Sequence, residues 1–540
     1  MPSSSLVPTD PSVLFTTAGM QQFKPYYLGE ESPYGRNVTS SQKCFRTSDI
    51  EEVGDASHLT FLEMLGNFSF GGYFKEEAIS FAFDFLFKEL KLPMEESVFT
   101  IFKGDNQVPE DRESMDVWKK LGVPESQIRK YGREDNFWGP TGLEGPCGPT
   151  TEIHIRGIEV WNLVFNEYYQ DKNGKLTPLD QKGVDTGMGL ERLAMTMQRK
   201  DSVYDTDLFE PLIEKISSFL PGKPQLNKKA LRIISDHARG AVFLISESIL
   251  PSNVERGYVL RRVLRRAIRH GKLLGLTEEF LIPLVRLVVE IYKDVYPEIK
   301  SQEAAILTVI QQEEEKFEKT LESGLKEVAK MIASEAGPTG AAAFDIYQTH
   351  GFPLEMTEEI IAEKGGKIKN REEFLSLFKK HQEISKIGAE KKFGGGGEFS
   401  PQLHTATHLL HAALRKVLGG HVKQMGSDIT SERLRFDFSH PQKMTPEEIK
   451  EVEGLVNQKI KEDLEVDKKE MSYEEALKSG ALAFFKEKYP VRVTVYTVES
   501  FSKEICAGPH TSRTSELGLF KIVKEESSSA GVRRIKAVLK

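Results

Sequence analysis

Cysteine is scarce: Cys44, Cys147 and Cys506 are the only three in 540 residues. Three thiols cannot build a disulfide framework, which points to a reducing compartment. No apolar run approaches the roughly 18 residues that a membrane helix needs. The opening stretch Met1-Pro-Ser-Ser-Ser-Leu-Val-Pro8 has no basic region followed by an apolar one, so no signal peptide is expected. Familiar phosphate loops are missing too. No Gly-Lys-Ser/Thr occurs, which excludes the usual P-loop, and no Gly-x-Gly-x-x-Gly supports a Rossmann dinucleotide site. Basic residues are in the minority, 73 against 81 acidic, for a net charge of −8. That total seems to speak against a nucleic-acid partner, but it says nothing about distribution. With 39% hydrophobic and 29% charged residues the chain can bury real cores. A cytoplasmic multidomain protein is expected, with about three or four domains at roughly 100–200 residues each.

Residues 1–228 are mixed, with strand-like runs such as Glu159 to Phe165, a helical pattern over Glu76 to Leu90, and turn-like clusters such as Gly145-Pro-Cys-Gly-Pro149. The expectation is α+β with an antiparallel sheet. Residues 229–393 read as all-α, from Lys229 to Ser246, Glu255 to Leu274 and the amphipathic stretch Gln302 to Ser334. Residues 394–400 open with four consecutive glycines, Gly394 to Gly397, and read as a flexible linker. Residues 401–540 return to α+β. There His404 to Leu418 is helical, Leu434 to Phe438 and Val491 to Val498 alternate as strands, and Thr445-Pro446 and Ser472-x-x-Glu475 mark helix starts.

Four constellations carry chemistry. The first is Arg46, then His58-x-x-Phe61-x-Glu63: two strands joined by a loop would put a phosphate-binding guanidinium and an aromatic face on one sheet. The second is Val184-Asp-Thr-Gly-Met-Gly-Leu-Glu-Arg192. Its glycines permit close backbone approach, a buried Asp185 suits an ammonium group, and Arg192 offers a second fork on a helix starting near Leu190. The third is a basic helix: residues 251–275 hold seven Lys and Arg against Glu255 alone, with Arg262, Arg265, Arg266 and Arg269 on one face. Such a face matches a phosphate backbone, or else a solvated surface paired with the acidic stretch 302–334. The fourth is His404-x-x-x-His408 with Cys506-x-x-x-His510, a nitrogen and sulfur set suited to tetrahedral Zn²⁺.

The first two constellations resemble motifs 2 and 3 of the class II aminoacyl-tRNA synthetases. Longer strings are similar to the alanyl-tRNA synthetase family: Phe15-Thr-Thr-Ala-Gly-Met-Gln-Gln-Phe-Lys24, Phe61 to Gly71, Gly145 to Pro149, Trp161-Asn-Leu-Val-Phe165 and Val184 to Arg192. The resemblance implies a class II catalytic domain, a helical tRNA-recognition domain and a zinc-binding editing domain. It implies ATP, Mg²⁺ and one Zn²⁺ as cofactors, with tRNA and alanine as partners. ATP would be bound by Arg46, His58, Phe61, Glu63, Gly189 and Arg192, with Phe61 on the adenine. Trp138, Val164, Asp185 and Gly187 would hold the amino acid, and Arg46, Asp185 and Arg192 would carry catalysis. Asn253 and Gln348 would read the acceptor stem beside the four arginines. His404, His408, Cys506 and His510 would hold zinc in a pocket that hydrolyses mischarged Ser- or Gly-tRNA, with Gln424 in its wall. Cys44 and Cys147 would be structural.

Departures from the family pattern are also visible. A lysine common in the loop after Arg46 is missing, and Lys75 is the candidate to replace it. An N-terminal helix, a small β-barrel between the helical and editing domains, and a C-terminal coiled coil have no counterpart, so a short, monomeric form is expected. A tRNA-binding or deacylating paralogue without activation is the competing reading.

Overall fold

The computed structural model describes the chain except residues 10–12, 141, 143, 221–226, 277–278, 391–400, 431–432, 483–491, 507 and 530; for 382–390 and 529 it describes backbone alone. The linker expected at 394–400 therefore lies outside the described residues. Among the described residues no helix is long and apolar enough to cross a membrane. The chain forms two compact units, Met1–Ile249 with Glu255–Glu303, and Leu250–Val254 with Ala304–Lys540.

The first unit is built on an eight-stranded sheet. Its strands are β1 (Asn37–Phe45), β2 (Phe61–Phe70), β3 (Ser97–Phe102), β4 (Ile128–Tyr131), β5 (Phe137–Trp138), β6 (Gly145–Ile155), β7 (Ile158–Gln170) and β8 (Leu176–Gly189). The order is β1-β2-β8-β7-β6-β3-β4, with β5 against β6. Only β3 and β4 pair in parallel, so the antiparallel expectation holds. The layer under one face comes from Ala78, Ile79, Ala82 and Leu86, which bury against Phe99, Trp118, Ile153, Leu163 and Phe165. The helix supplying them runs Lys75–Phe83 and continues as a π-helical turn, Asp84–Glu89. The helix Lys228–Ser246 buries sixteen of its nineteen residues, its polar face with Asp236, His237 and Arg239 included.

One sequence expectation is corrected here. Gly145-Pro-Cys-Gly-Pro149 is the first half of β6, not a turn. The register with β7 slips between Cys147 and Thr150, and a bulge of this kind tolerates prolines that a regular ladder would not. Gly148 is required: a Cβ there would lie 1.8 Å from the Phe165 carbonyl oxygen.

The second unit starts with helices Glu303–Ala333, Gly340–His350, Leu354–Glu363 and Arg371–Glu390. The helix Pro401–Leu418 then packs against two small antiparallel sheets. Their strands are β9 (Gln424–Ile429), β10 (Leu434–Ser439), β11 (Val466–Ser472), β12 (Arg492–Val498), β13 (Ser502–Ile505), β14 (Phe520–Ser529) and β15 (Val532–Leu539), ordered β14-β15-β10-β9 and β11-β12-β13. Leu409, Leu410, Ala413 and Leu414 of the helix meet Phe436, Phe438 and Ile535 in the core. Both helix starts read from sequence are capped as expected. The Thr445 hydroxyl accepts from Glu448 N, and the Ser472 hydroxyl from Glu475 N.

Candidate functional site

A cavity of about 380 Å³ opens on the sheet of the first unit. Asp185, Gly187 and Gly189 alternate along β8 and share a face, and all three line it. Val164 sits directly opposite Asp185 on β7, and Trp138 comes in from β5. Arg46 leaves the end of β1 just where Phe45 pairs with Phe61, and its Nε donates to Thr17 O at 3.2 Å. Arg192 is the third residue of the helix Leu190–Met197, and its Nη1 donates to Glu159 Oε2 at 3.0 Å and Glu159 O at 3.2 Å. His58 lines the mouth with its Nδ1 2.6 Å from Asp55 Oδ2. A Cβ on Gly187 would come within 3.0 Å of Met64 Sδ, so any larger residue there pushes on the wall.

The lining is acidic: Asp49, Glu134, Asp135, Glu152, Glu159, Asp185 and Glu191 face Arg46 and Arg192. Such a surplus suits cations, whether an ammonium group or a metal that accompanies phosphates. Burial pushes the Asp185 carboxyl up to about 7. Burial also raises Glu191, to about 6, against the opposing pull of the Arg239 guanidinium 2.9 Å away. A carboxyl kept near neutrality and open to a cavity is a receptor for a positive charge.

Several expected residues lie elsewhere. Phe61 is fully buried, with its ring stacked on Phe243 at 3.8 Å, so its face is already covered and not offered to an adenine. Glu63 is buried as well, and Tyr296 Oη donates to its Oε1 at 2.7 Å. Lys75 cannot stand in for the missing loop lysine: it is buried in ion pairs with Asp111 and Glu167, both at 2.8 Å. The basic helix, Glu255–Leu273, does not present a solvated arginine face. Arg265, Arg266 and Arg269 are no more than 5% exposed. Arg266 Nη1 donates to the Ile50 carbonyl at 2.6 Å, and Arg262 pairs with Glu51. Asn253 and Gln348 are exposed.

Sequence reasoning missed Glu152. It lies opposite Asn162 across β6 and β7, and both line the cavity. Asn162 Nδ2 donates to its Oε1 at 3.1 Å, and His154 Nε2 lies 2.8 Å from its Oε2. The signal was the alternation Thr150-Thr-Glu-Ile-His154, hidden behind the supposed turn at 145–149.

The second unit brings His404, His408, Cys506 and His510 together, with one ligand atom from each within 4.8 Å of the others. His404 and His408 stand one turn apart on the helix Pro401–Leu418, and Cys506 follows β13. Cys506 Sγ lies 3.4 Å from His404 Nε2. Burial pushes His404 down to about 4 and His510 to about 3, and drives His408 well below the ordinary range. The imidazoles are thus neutral, as metal ligands must be. One buried ring nitrogen of the cluster, His510 Nε2, has no hydrogen-bond partner. A Cβ on Gly508 would fall 1.6 Å from His404 Cε1, so the turn must carry glycine to reach the cluster. The donor set and the orphaned His510 nitrogen fit a zinc ion. Gln424 lies on β9, its Nε2 donating to Ser427 Oγ at 3.1 Å.

Two family models match the chain. Residues 1–419 match the family of class II (A) tRNA synthetases, and residues 493–536 the threonyl and alanyl tRNA synthetase second additional domain. The chain is 48% identical over 567 residues to the alanine–tRNA ligase of Borreliella afzelii (strain PKo), covering 99% of this chain and 95% of that protein. It is 49% identical over 576 residues to the alanine–tRNA ligase of Treponema denticola, with coverage of 99% and 95%. The alanine–tRNA ligase of Petrotoga mobilis is 37% identical over 683 residues, and the match covers 77% of that protein.

Proposed function

The chain belongs to the class II tRNA synthetases, and from that premise we propose how its two sites divide the work of an alanine–tRNA ligase. The activity is ATP-dependent activation of alanine and its transfer to tRNA, with an editing domain that removes errors.

In the first unit Arg46 holds the α-phosphate of ATP and Arg192 the terminal phosphates, with His58 and Gly189 beside the nucleotide. Asp185 pairs with the alanine ammonium group. Trp138, Val164 and Gly187 wall a pocket sized for one methyl. The alanine carboxylate attacks the α-phosphorus in line, forming the adenylate and expelling pyrophosphate. The protein contributes position and charge rather than covalent chemistry, with Arg46, Asp185 and Arg192 as the groups that matter most. Carboxylates of the lining such as Glu152 and Glu159 would hold Mg²⁺, which would supply positive charge to the phosphates. Phe61 and Glu63 are left out of the nucleotide contacts because Phe243 and Tyr296 cover them.

A methyl pocket rejects serine and glycine poorly, since one small group yields only about 1–3 kcal/mol of discrimination. Hydrolysis of Ser- or Gly-tRNA in the second unit supplies the rest, with His404, His408, Cys506 and His510 holding one zinc ion per chain and Gln424 in the pocket. Bound zinc supplies positive charge and Lewis acidity. The roles divide as activation over 1–228, tRNA recognition over 229–393 and editing over 401–540, with 394–400 between them. Asn253 and Gln348 contact tRNA. Arg262 and Arg266 tie the helix to Glu51 and the Ile50 carbonyl instead of touching phosphates, and Arg265 and Arg269 are buried. The enzyme works in the cytoplasm.

The observation that carries this reading is Asp185, a buried carboxyl at the wall of a cavity that also holds two guanidinium groups. ATP–pyrophosphate exchange across a panel of amino acids tests it. Exchange with alanine, and weaker exchange with serine and glycine, is expected; no exchange at saturating alanine would overturn it.

A further inference from the structure

The loop between Arg46 and Phe61 is tied to the basic helix by a buried relay. Arg46 N donates to the Thr60 carbonyl at 2.8 Å, one rung beyond the pairing of Phe45 with Phe61. Thr60 is fully buried, and so are Asp236 and His237 on the helix Lys228–Ser246. Thr60 N donates to Asp236 Oδ1 at 2.9 Å, and Thr60 Oγ1 donates to Oδ2 at 2.5 Å. His237 Nδ1 lies 2.9 Å from the same Oδ2, and Arg266 Nη1 lies 3.2 Å from His237 Nε2. A guanidinium can only donate, so Nε2 carries the lone pair and Nδ1 the hydrogen that goes to Asp236. Burial also holds His237 below its ordinary range, which agrees with a neutral ring. Arg266 grips the loop directly as well. Its Nη1 donates to Ile50 O at 2.6 Å and its Nη2 to Val53 O at 3.3 Å.

Resting on the reading of Arg46 as the α-phosphate group, we propose that Thr60, Asp236, His237 and Arg266 are positioning residues for Arg46. The basic helix then serves activation, by shaping the loop that carries the phosphate fork. Arg46 leaves the end of β1 with its Nε on Thr17 O at 3.2 Å. Its backbone is set by the rung to Thr60, and Thr60 is set by Asp236. Without the Thr60 hydroxyl, Asp236 Oδ2 loses one of its two donors and the entry to β2 is free to shift. A displacement of about 1 Å, even one caused far from the chemistry, can cost roughly 100-fold in rate. Asp185 stands on β8 and is no member of the relay, so the amino-acid side of the cavity keeps its shape.

The test uses the full chain and ATP–pyrophosphate exchange. Thr60→Val keeps the shape and removes the hydroxyl, and is expected to lower kcat/KM for ATP roughly 10–100-fold while KM for alanine stays unchanged. Thr60→Ser keeps the hydroxyl and is expected to stay close to the unaltered protein. Because Thr60 acts through Arg46, Thr60→Val should add little to Arg46→Ala when ATP affinity is read by calorimetry. If Thr60→Val does not fold, Thr60→Ser against Thr60→Ala carries the same comparison. Unchanged ATP kinetics without the hydroxyl, equal rises in KM for both substrates, or losses that add fully to those of Arg46→Ala would overturn the proposal. Unaltered ATP affinity in Arg46→Ala would instead overturn the reading of Arg46 beneath it.

Discussion

The activation cavity and the imidazole cluster show the same force acting with opposite sign. In the first unit burial raises an acid, Asp185, to about 7. In the second it lowers bases, His404 to about 4 and His510 to about 3. Both shifts favour the neutral form, because a low-dielectric surrounding penalises whichever form is charged. Neither group is compensated by a neighbouring ion: burial is the only cause acting on Asp185, and the charge effects at His510 come from another imidazole. Contrast Lys75, equally buried, which has Asp111 and Glu167 at 2.8 Å and is held charged by them. A buried ionisable group with its own counter-charge is architecture. One without is a place that an arriving cation would stabilise, and the proposed function uses Asp185 and the imidazoles in that way.

The largest break in this comparison should come from Asp185→Asn. Losing one partner of a buried ion pair costs about 3–5 kcal/mol, which is roughly 10²–10⁴ in kcat/KM for alanine in the exchange assay. Cys506→Ala should act on the other site alone. Zinc content measured by elemental analysis falls and Ser-tRNA deacylation falls with it, while alanine exchange is unchanged. Gly187→Ala is a finer probe of the first site. Its Cβ meets the flexible end of Met64 at 3.0 Å, so the wall shifts instead of failing, and KM for alanine rises by about tenfold. Acid should do the same reversibly: below pH 7 the Asp185 carboxyl is increasingly protonated, and KM for alanine climbs towards tenfold per pH unit. The smallest effect is on stability. Asp185 is raised from 3.8 to about 7 on folding, so the folded state holds the proton more tightly. The penalty is absent below about pH 4, grows as pH rises, and is complete above about 7. Asp185→Asn should therefore raise the melting temperature at pH 8 by a few degrees and change it little at pH 4.

Much of both sites was legible in the sequence. The spacing of Asp185, Gly187 and Gly189 is a strand period, and that period sets all three on one face. His404 and His408 share a helix face for the same geometric reason. What was not legible depends on contacts distant in sequence. Nothing local to Phe61 announces that Phe243, on a helix some 180 residues later, covers its ring. Charge spacing places four arginines on one helix face but cannot say whether water or protein lies against it, and here Arg266 donates to the Ile50 carbonyl. Gly145 to Pro149 misled because glycine and proline mark turns more often than bulged strands.

The idea that Asp185 waits for a cation can be tested directly by counting protons. Calorimetric titration of alanine into the enzyme at pH 7, repeated in buffers of different ionisation enthalpy, reads protons exchanged on binding. With the carboxyl near 7 in the free enzyme, about half a proton per site should be released as the ammonium group arrives, and none in Asp185→Asn. Alanine binding that moves no proton at pH 7, or that moves the same number in the variant, would contradict it.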